Sequence, residues 1–536
     1  MSDFGPSGKL RSPSQFSFSR SPEAIIPRSS FNRSFGLKTT FDAGYLVPIY
    51  WDEALPGDSF NLRATLFGRL STPIYPLMDN LTLSTYFFAV PNRLIWSNWE
   101  KFNGEQVNPG DSTSFLVPTS TAPGGGYAEL SLHDYFGIPT KVTGVVHDNL
   151  HLRAYNLIYN EWFRDQNLTN SVTVDLGDGP DTYSNYVLLR ASKKHDYFTS
   201  CLPFAQKGTA VAIPLTGTAP VTGIALSNAI SFGSTGTNVW ETNAAASTNY
   251  TASYPSSAAV FFKGVSVGAI GSSNTPQIFA NLAVASATTI NALRQSFQIQ
   301  KMYERDARGG TRYTEVIRSH FGVISPDMRQ QRPEYLGGGM SPVVIQPVAQ
   351  TAATSGSNAL GDLAGFGTVH ANNHGFTKSF TEHCVLIGLV LVRSDLTYQQ
   401  GLERFWSRQT RFDFYWPALS HLGEQNVLNK EIYYQNTAAD ANTFGYQERW
   451  AEYRYKPSVI TGRFRSNATT PLDAWHLAQN FGALPVLNNA FIQETPPMSR
   501  IKAVTTEPDF LLDAYFTLHS ARPMPVYSVP GLIDHF

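Results

Sequence analysis

Phe60-Asn61-Leu62-Arg63-Ala64-Thr65-Leu66 decides the fold class. Apolar and polar residues alternate without a break, as in a strand with one face in a core and the other outside. The stretch 52–58, with Pro56-Gly57 inside it, is the turn that leads in. Working outward, residues 81–90 read as a second strand, stopped by Pro91. The apolar run 384–392 is too short to cross a bilayer and suits a strand buried on both faces. Segments 186–189, 411–415, 452–455, 459–464 and 510–518 complete a set of roughly eight widely spaced strands.

Helical patterns lie between them. Asp148 is placed to cap a helix to about 165 that presents Tyr155, Ile158 and Trp162 on one face. Thr289 is placed to cap another to about 306, and 396–406 is a third, weakened by Gly401. No fixed-period repeat is present, which argues against solenoids and propellers. The fold expected is mainly β: an eight-stranded antiparallel jelly roll with long loop insertions containing short helices. The abundance of 35 Phe and 25 Tyr beside 41 Gly and 33 Pro agrees with many strands joined by turn-rich loops.

The net charge of −1 gives no global field toward nucleic acid or membrane, so any such contact is local. Cys201 and Cys384 make no disulfide framework and read as buried free thiols, which points weakly to a reducing compartment. Arg11, Pro13, Arg20 and Pro22 interrupt the N-terminus, so no secretory leader and no membrane insertion are expected.

Two segments stand apart from the body at 41–536. Residues 1–40 hold ten Ser and six cations, Lys9, Arg11, Arg20, Arg28, Arg33 and Lys38, against two acids. This extended basic arm is the candidate DNA-facing segment: its cations suit phosphates and its scattered Phe residues suit unpaired bases. A tether draped on a neighbouring subunit is the equal alternative. The second segment, 208–288, carries only Glu241 and Lys263 as charges, where about thirteen would follow from the 15% of the whole chain between Lys207 and Arg294. Its large residues, among them Phe232, Trp240, Tyr250, Tyr254, Phe261 and Phe262, suit packing on copies of itself.

Catalytic patterns are weak. His147 and His151 have the i, i+4 spacing of a zinc pair, but Asp148 stands where the metalloprotease motif has Glu. His370 and His374 repeat the spacing around Asn372-Asn373 and read as polar loop residues. Residues 264–268 match a nucleophile elbow but are followed by turn residues instead of a helix. Gly337-Gly338-Gly339 lacks the context of a dinucleotide fingerprint. Nothing makes Glu403 and Asp413 converge as a carboxylate pair, and Arg305, Arg308, Arg312 and Arg318, with acids interleaved, suit internal or inter-subunit ion pairs, with nucleic-acid contact as the alternative. No catalytic residue, metal or cofactor is expected.

Long ordered blocks then resemble one family. RSSFNRSF at 28–35, FDAGYLVP at 41–48, PLMDN at 76–80, FFAVPNRL at 87–94, YERDARGGTRY at 303–313, YQQGLERFWSRQTRFDFYWP at 398–417, GYQER at 445–449 and AEYRYKP at 451–457 resemble the major capsid protein of the small single-stranded DNA phages, the Microviridae, in their gokushovirus branch. The resemblance implies a viral-capsid jelly roll, sixty copies in a T=1 icosahedral shell around circular single-stranded DNA, and a virion assembled in the bacterial host cytoplasm. It further implies that 208–288 forms a protrusion near the threefold axes, where its aromatics would pack and meet a bacterial surface receptor. A separate small basic viral protein would condense the genome. The alternatives are a monomeric carbohydrate-binding jelly roll and a metal-dependent hydrolase using His147 and His151.

Overall fold

A computed structural model describes residues 27–209, 211, 290–310, 313–322, 331–351 and 360–527, with short strand pieces between 221 and 280. The chain divides into two compact units, Met1–Phe204 with Ser325–Phe536, and Ala205–Ile324. The first is built on two antiparallel sheets.

The first sheet has six strands. β1 (Ser29–Asn32) and β2 (Phe35–Phe41) pair one after the other with the last strand, β10 (Phe510–Arg522). Next to β10 lie β4 (Ser59–Leu70), then β8 (Leu363–Ser379), then β7 (Val344–Ala349). The second sheet has the order β6 (Glu334–Pro342), β5 (Leu81–Pro91), β9 (Cys384–Ser394), β3 (Val47–Ala54). The chain crosses repeatedly between the sheets, with β1–β2, β5–β6 and β7–β8 the neighbours that stay within one, and the two layers close on one core.

The alternation at 60–66 does what its period requires. Phe60, Leu62, Ala64 and Leu66 point inward with Phe510, Leu512, Ala514 and Phe516 of β10, and meet Leu83, Phe87, Leu386 and Val390 of the second sheet. The run in β9 is buried on both faces. Val385, Ile387, Leu389 and Leu391 enter a second core with Phe88, Val90 and Trp96, roofed by Leu152, Tyr155 and Ile158 of helix α1 (Leu150–Ile158). Each such side chain contributes about 1.5–3 kcal/mol on leaving water. A third cluster gathers Tyr197, Phe198, Tyr398, Val427, Ile432 and Phe444.

Several expected elements differ. Residues 186–189 form no strand; Tyr186 instead turns its hydroxyl to Asp181. Segments 411–415 and 452–455 are tight turns, Arg411–Asp413 and Ala451–Tyr453, and of 459–464 only Val459 joins a short strand, Ser458–Val459, on Thr397–Tyr398. The helix expected over 396–406 is absent: Thr397–Tyr398 is a short strand and only Arg404–Ser407 makes a tight turn. The helix expected from Asp148 starts at Leu150, after a short strand Val146–Asp148, and continues past Ile158 as one wide turn to Phe163. The helix expected from Thr289 is present in the second unit as Ile290–Arg308.

Candidate nucleic-acid interface

The two sheets are treated unequally. The second is packed on both faces. The first shows its outer face along β2, β10, β4 and β8, and the polar half of each alternation is exposed there.

Cross-strand register sets the order of side chains on this face. Lys38, Asp513, Phe67 and His370 stand side by side on four successive strands. The next row is Thr40, Leu511, Arg69 and Thr368, and two residues the other way Tyr515 faces Thr65. Phe67 and Tyr515 are half exposed, at 51% and 54%, and are diagonal neighbours across β4 and β10. The side chains of Lys38, Arg63 and Arg69 make no hydrogen bond or ion pair among the described residues. Asp513 is the one acid on these rows. At one end Leu130, Asp134, Gly137 and Trp51 wall a groove of about 700 Å³ against Lys38 and Phe67. Unpaired cations beside open aromatic faces are what an unpaired nucleic-acid strand engages, through phosphate and base respectively.

Of the arm's candidates, Lys38 lies on this face. Arg28 is exposed just before β1. Arg33 is occupied: its guanidinium donates to both carboxylate oxygens of Asp52, at 2.8 and 3.0 Å. Lys9, Arg11 and Arg20 lie outside the described residues, as do Phe232, Tyr250, Tyr254, Phe261, Phe262 and the elbow-like 264–268. Trp240 ends a short strand, Asn238–Trp240, paired with Ala225–Leu226 and Thr248–Asn249. Sequence reasoning missed Arg63, Phe67, Arg69, His370 and Tyr515 as site residues. Arg63 lies in the polar phase of the strand pattern at 60–66, Phe67 and Arg69 in its continuation, and Tyr515 in the same phase of 510–518, while His370 carries no such signal.

The histidines are structural. His147 lies on a strand and His151 on α1, so the two do not share a helix face. His147 Nε2 pairs with the Tyr127 hydroxyl at 2.8 Å, and its Nδ1 with the Asp148 carbonyl at 2.8 Å. The loop reading of 370–374 is wrong: both histidines are in β8, on either side of a bulge at Asn372-Asn373. His374 is buried between the hydroxyls of Thr85 (2.9 Å) and Ser341 (3.3 Å). Among the described residues no group of three metal-ligating side chains gathers. Glu403 pairs with Lys456, and Asp413 accepts from the amide and hydroxyl of Thr410. Cys201 and Cys384 are free and buried, and burial pushes the Cys384 thiol up to about 12. In the second unit, Arg305 and Arg308 lie on Ile290–Arg308 and Arg318 on Tyr313–Phe321, while Arg312 falls outside the described residues.

A bare sheet face that sets cations beside exposed aromatics suits binding or assembly. The model of the capsid protein (F protein) family matches residues 19–532. This chain belongs to that family. It is 48% identical over 532 residues to capsid protein VP1 of Bdellovibrio phage phiMH2K, covering 97% of this chain and 98% of the relative. To capsid protein VP1 of Chlamydia phage 1 it is 46% identical, covering 98% and 99%. To capsid protein VP1 of Spiroplasma virus 4 it is 37% identical, covering 95% and 96%. The chain is therefore a structural capsid protein, a component of a phage virion, and not an enzyme. Family membership sets aside the hydrolase and carbohydrate-binding alternatives. Among the described residues, no helix is long and apolar enough to cross a membrane.

Proposed function

We propose that the chain is the shell subunit of a small icosahedral phage, that its two sheets are an eight-stranded jelly roll, and that sixty copies close a T=1 shell around circular single-stranded DNA. The strand order supports the jelly roll. With β1 counted as a lead-in to β2 and β7 as a lead-in to β8, the sheets read β2–β10–β4–β8 and β3–β9–β5–β6. Successive strands cross from one sheet to the other at every step but β5 to β6, and the last lies between the first and the third. That is the winding of a double Greek key.

One observation carries the orientation: the side chains of Lys38, Arg63 and Arg69 are left unpaired, among the described residues, beside Phe67 and Tyr515 on an uncovered sheet face. In this reading that face lines the shell and contacts the genome. The arm residues Lys9, Arg11, Arg20 and Arg28 add charge to the same side, and a small basic viral protein neutralises the remaining phosphate. The nearly uncharged segment 208–288 is the outer protrusion at the threefold axes, where it engages a bacterial surface receptor.

Cryo-electron microscopy of particles purified from infected cells tests this. The expected result is sixty subunits with β4 and β10 facing inward and nucleotide density against Phe67 and Tyr515. A subunit oriented with that face to the exterior overturns the genome-lining role. Deleting 217–285 should leave particles and abolish attachment; loss of soluble subunit would place the segment in the body instead.

A further inference from the structure

Residues 404–416 and 449–465 form the most aromatic exposed surface among the described residues. Trp406 is 70% exposed and Phe412 67%. Arginines sit over neighbouring rings: Arg411 over Trp416 at 4.5 Å and Arg449 over Trp450 at 4.2 Å. The surface surrounds a cleft of about 750 Å³ lined by Tyr398, Phe405, Trp406, Tyr434, Tyr455 and Arg465. Acids beneath it are already used, Glu431 by Arg404 and Glu452 by Arg408. Arg411, Arg449, Arg463 and Arg465 form no ion pair among the described residues. The belt is therefore apolar and locally positive.

A complementary surface stands elsewhere on the same unit. Residues 98–116 and 172–180 carry Glu100, Glu105, Asp111, Asp175 and Asp178 against a single cation, Lys101. The two loops are tied together: Asn98 donates to both oxygens of Asp178, and the Ser97 amide to the Leu176 carbonyl. Asp111 braces its own loop by accepting from the amides of Val107 and Asn108. On this fixed loop Val107 is 79% exposed and Leu116 84%. No hydrogen bond or ion pair joins the belt to these loops within one copy, among the described residues.

We propose that the acidic loops of one copy dock on the aromatic–arginine belt of the next, with Glu105 and Asp175 meeting Arg411 and Arg465 and with Val107 and Leu116 seated against the rings around the cleft. The argument is complementarity in both sign and polarity. An apolar surface of this extent marks an interaction site, and opposed charges steer the encounter and fix its register. Two different patches on one chain make a head-to-tail contact, and head-to-tail contacts generate rings where the rotation closes. The inference rests on the reading of the chain as a shell subunit.

The test is a charge swap in the full-length chain, read by particle yield in sedimentation and electron microscopy and by melting of the unassembled subunit. Arg411→Glu with Arg465→Glu should lower particle yield by about tenfold or more, and so should Glu105→Lys with Asp175→Lys. All four changes together should restore most of the yield, with melting unchanged throughout. Val107→Ser with Leu116→Ser, on side chains that face solvent in the free subunit, should also lower it. Particles indifferent to either reversal, or a belt reversal that spares particles and empties them of DNA, overturn the contact alone. Failure of the unmutated chain to form particles overturns the shell reading as well.

Discussion

Arg153 and Asp181 are both fully buried and meet in a two-point ion pair, with Nη2 and Nε of the guanidinium 2.6 and 2.8 Å from the two carboxylate oxygens. The arginine comes from α1 and the acid from the loop beyond it, so the pair pins that loop over the second core. Arg153 also donates to the Ile95 carbonyl, and the Tyr186 hydroxyl donates to Asp181. Burial opposes the charge on Asp181, but the guanidinium and Tyr186 together hold its carboxyl below the usual range. Asp181→Ala leaves a buried guanidinium without its partner and should cost about 3–5 kcal/mol. Arg153→Met with Asp181→Leu removes both charges and should cost less. Urea unfolding of the unassembled subunit separates the two; equal losses would mean that the ion pair matters only as packing.

His133 gives a pH dependence of stability. Its ring stacks on Tyr127 at 3.8 Å, and its buried Nε2 has no hydrogen-bond partner. Burial, and then the neighbouring His147, push its pKa down to about 4. The unfolded chain takes up the proton near the ordinary value of 6.5, and the folded one only near 4. Stability from the neutral ring is therefore complete above pH 6.5 and falls as the pH drops to about 4, by on the order of 3 kcal/mol. His133→Phe keeps the stack and removes the titration. The melting-temperature difference between variant and wild type should grow in the variant's favour from pH 7 to pH 4; a constant difference would show that His133 is protonated while folded.

The parts of the fold that sequence made legible are those where one physical cause acts alone. At 60–66 the period-two burial of Leu62, Ala64 and Leu66 has no competitor, and the strand formed as read. The run 384–392 likewise could only be buried on both sides. Where two causes compete, the reading failed. Asn372-Asn373-His374-Gly375 has turn chemistry, but the turn residues make a bulge inside the 17-residue strand β8, with Asn373 in the left-handed region at φ 61°. Segments 411–415 and 452–455 have strand-like aromatic composition, yet Phe414 and Tyr453 serve as platforms for Arg408, and the backbone turns there instead of pairing. The candidate interface was half legible: alternation announces an outer face but not which strands stand beside it, so Lys38 was found and Arg63, Phe67 and Tyr515 were not.

Gly375 tests the bulge. A Cβ there would lie 1.9 Å from the Leu62 carbonyl oxygen, a backbone atom of the adjoining strand that cannot move aside alone. Gly338 makes a similar approach, 2.0 Å, to the Thr85 carbonyl, which gives the glycine run at 337–339 a packing role. Gly375→Ala should cost at least about 1–3 kcal/mol and reduce soluble subunit sharply. Gly110→Ala, where a Cβ meets nothing within 4 Å, is the control and should change little. Equal expression and melting of the two variants would show that β4 and β8 part more easily than their pairing implies.

The cations of the bare sheet face should separate binding from stability. Arg63 and Arg69 are exposed and unpaired among the described residues, so Arg63→Gln with Arg69→Gln should leave melting within about 0.5 kcal/mol of wild type. If both contact phosphates, the logarithmic salt dependence of binding to a single-stranded oligonucleotide should flatten by about 1.4, at roughly 0.7 per contact. Tyr515→Ala acts through stacking and should weaken binding by about 1–3 kcal/mol without changing that slope. Fluorescence anisotropy across a salt series reads both quantities. Since opposite signatures are expected from residues on adjoining strands, a slope that is unchanged in the arginine variant, or that shifts with Tyr515, would remove this face from contact with the genome.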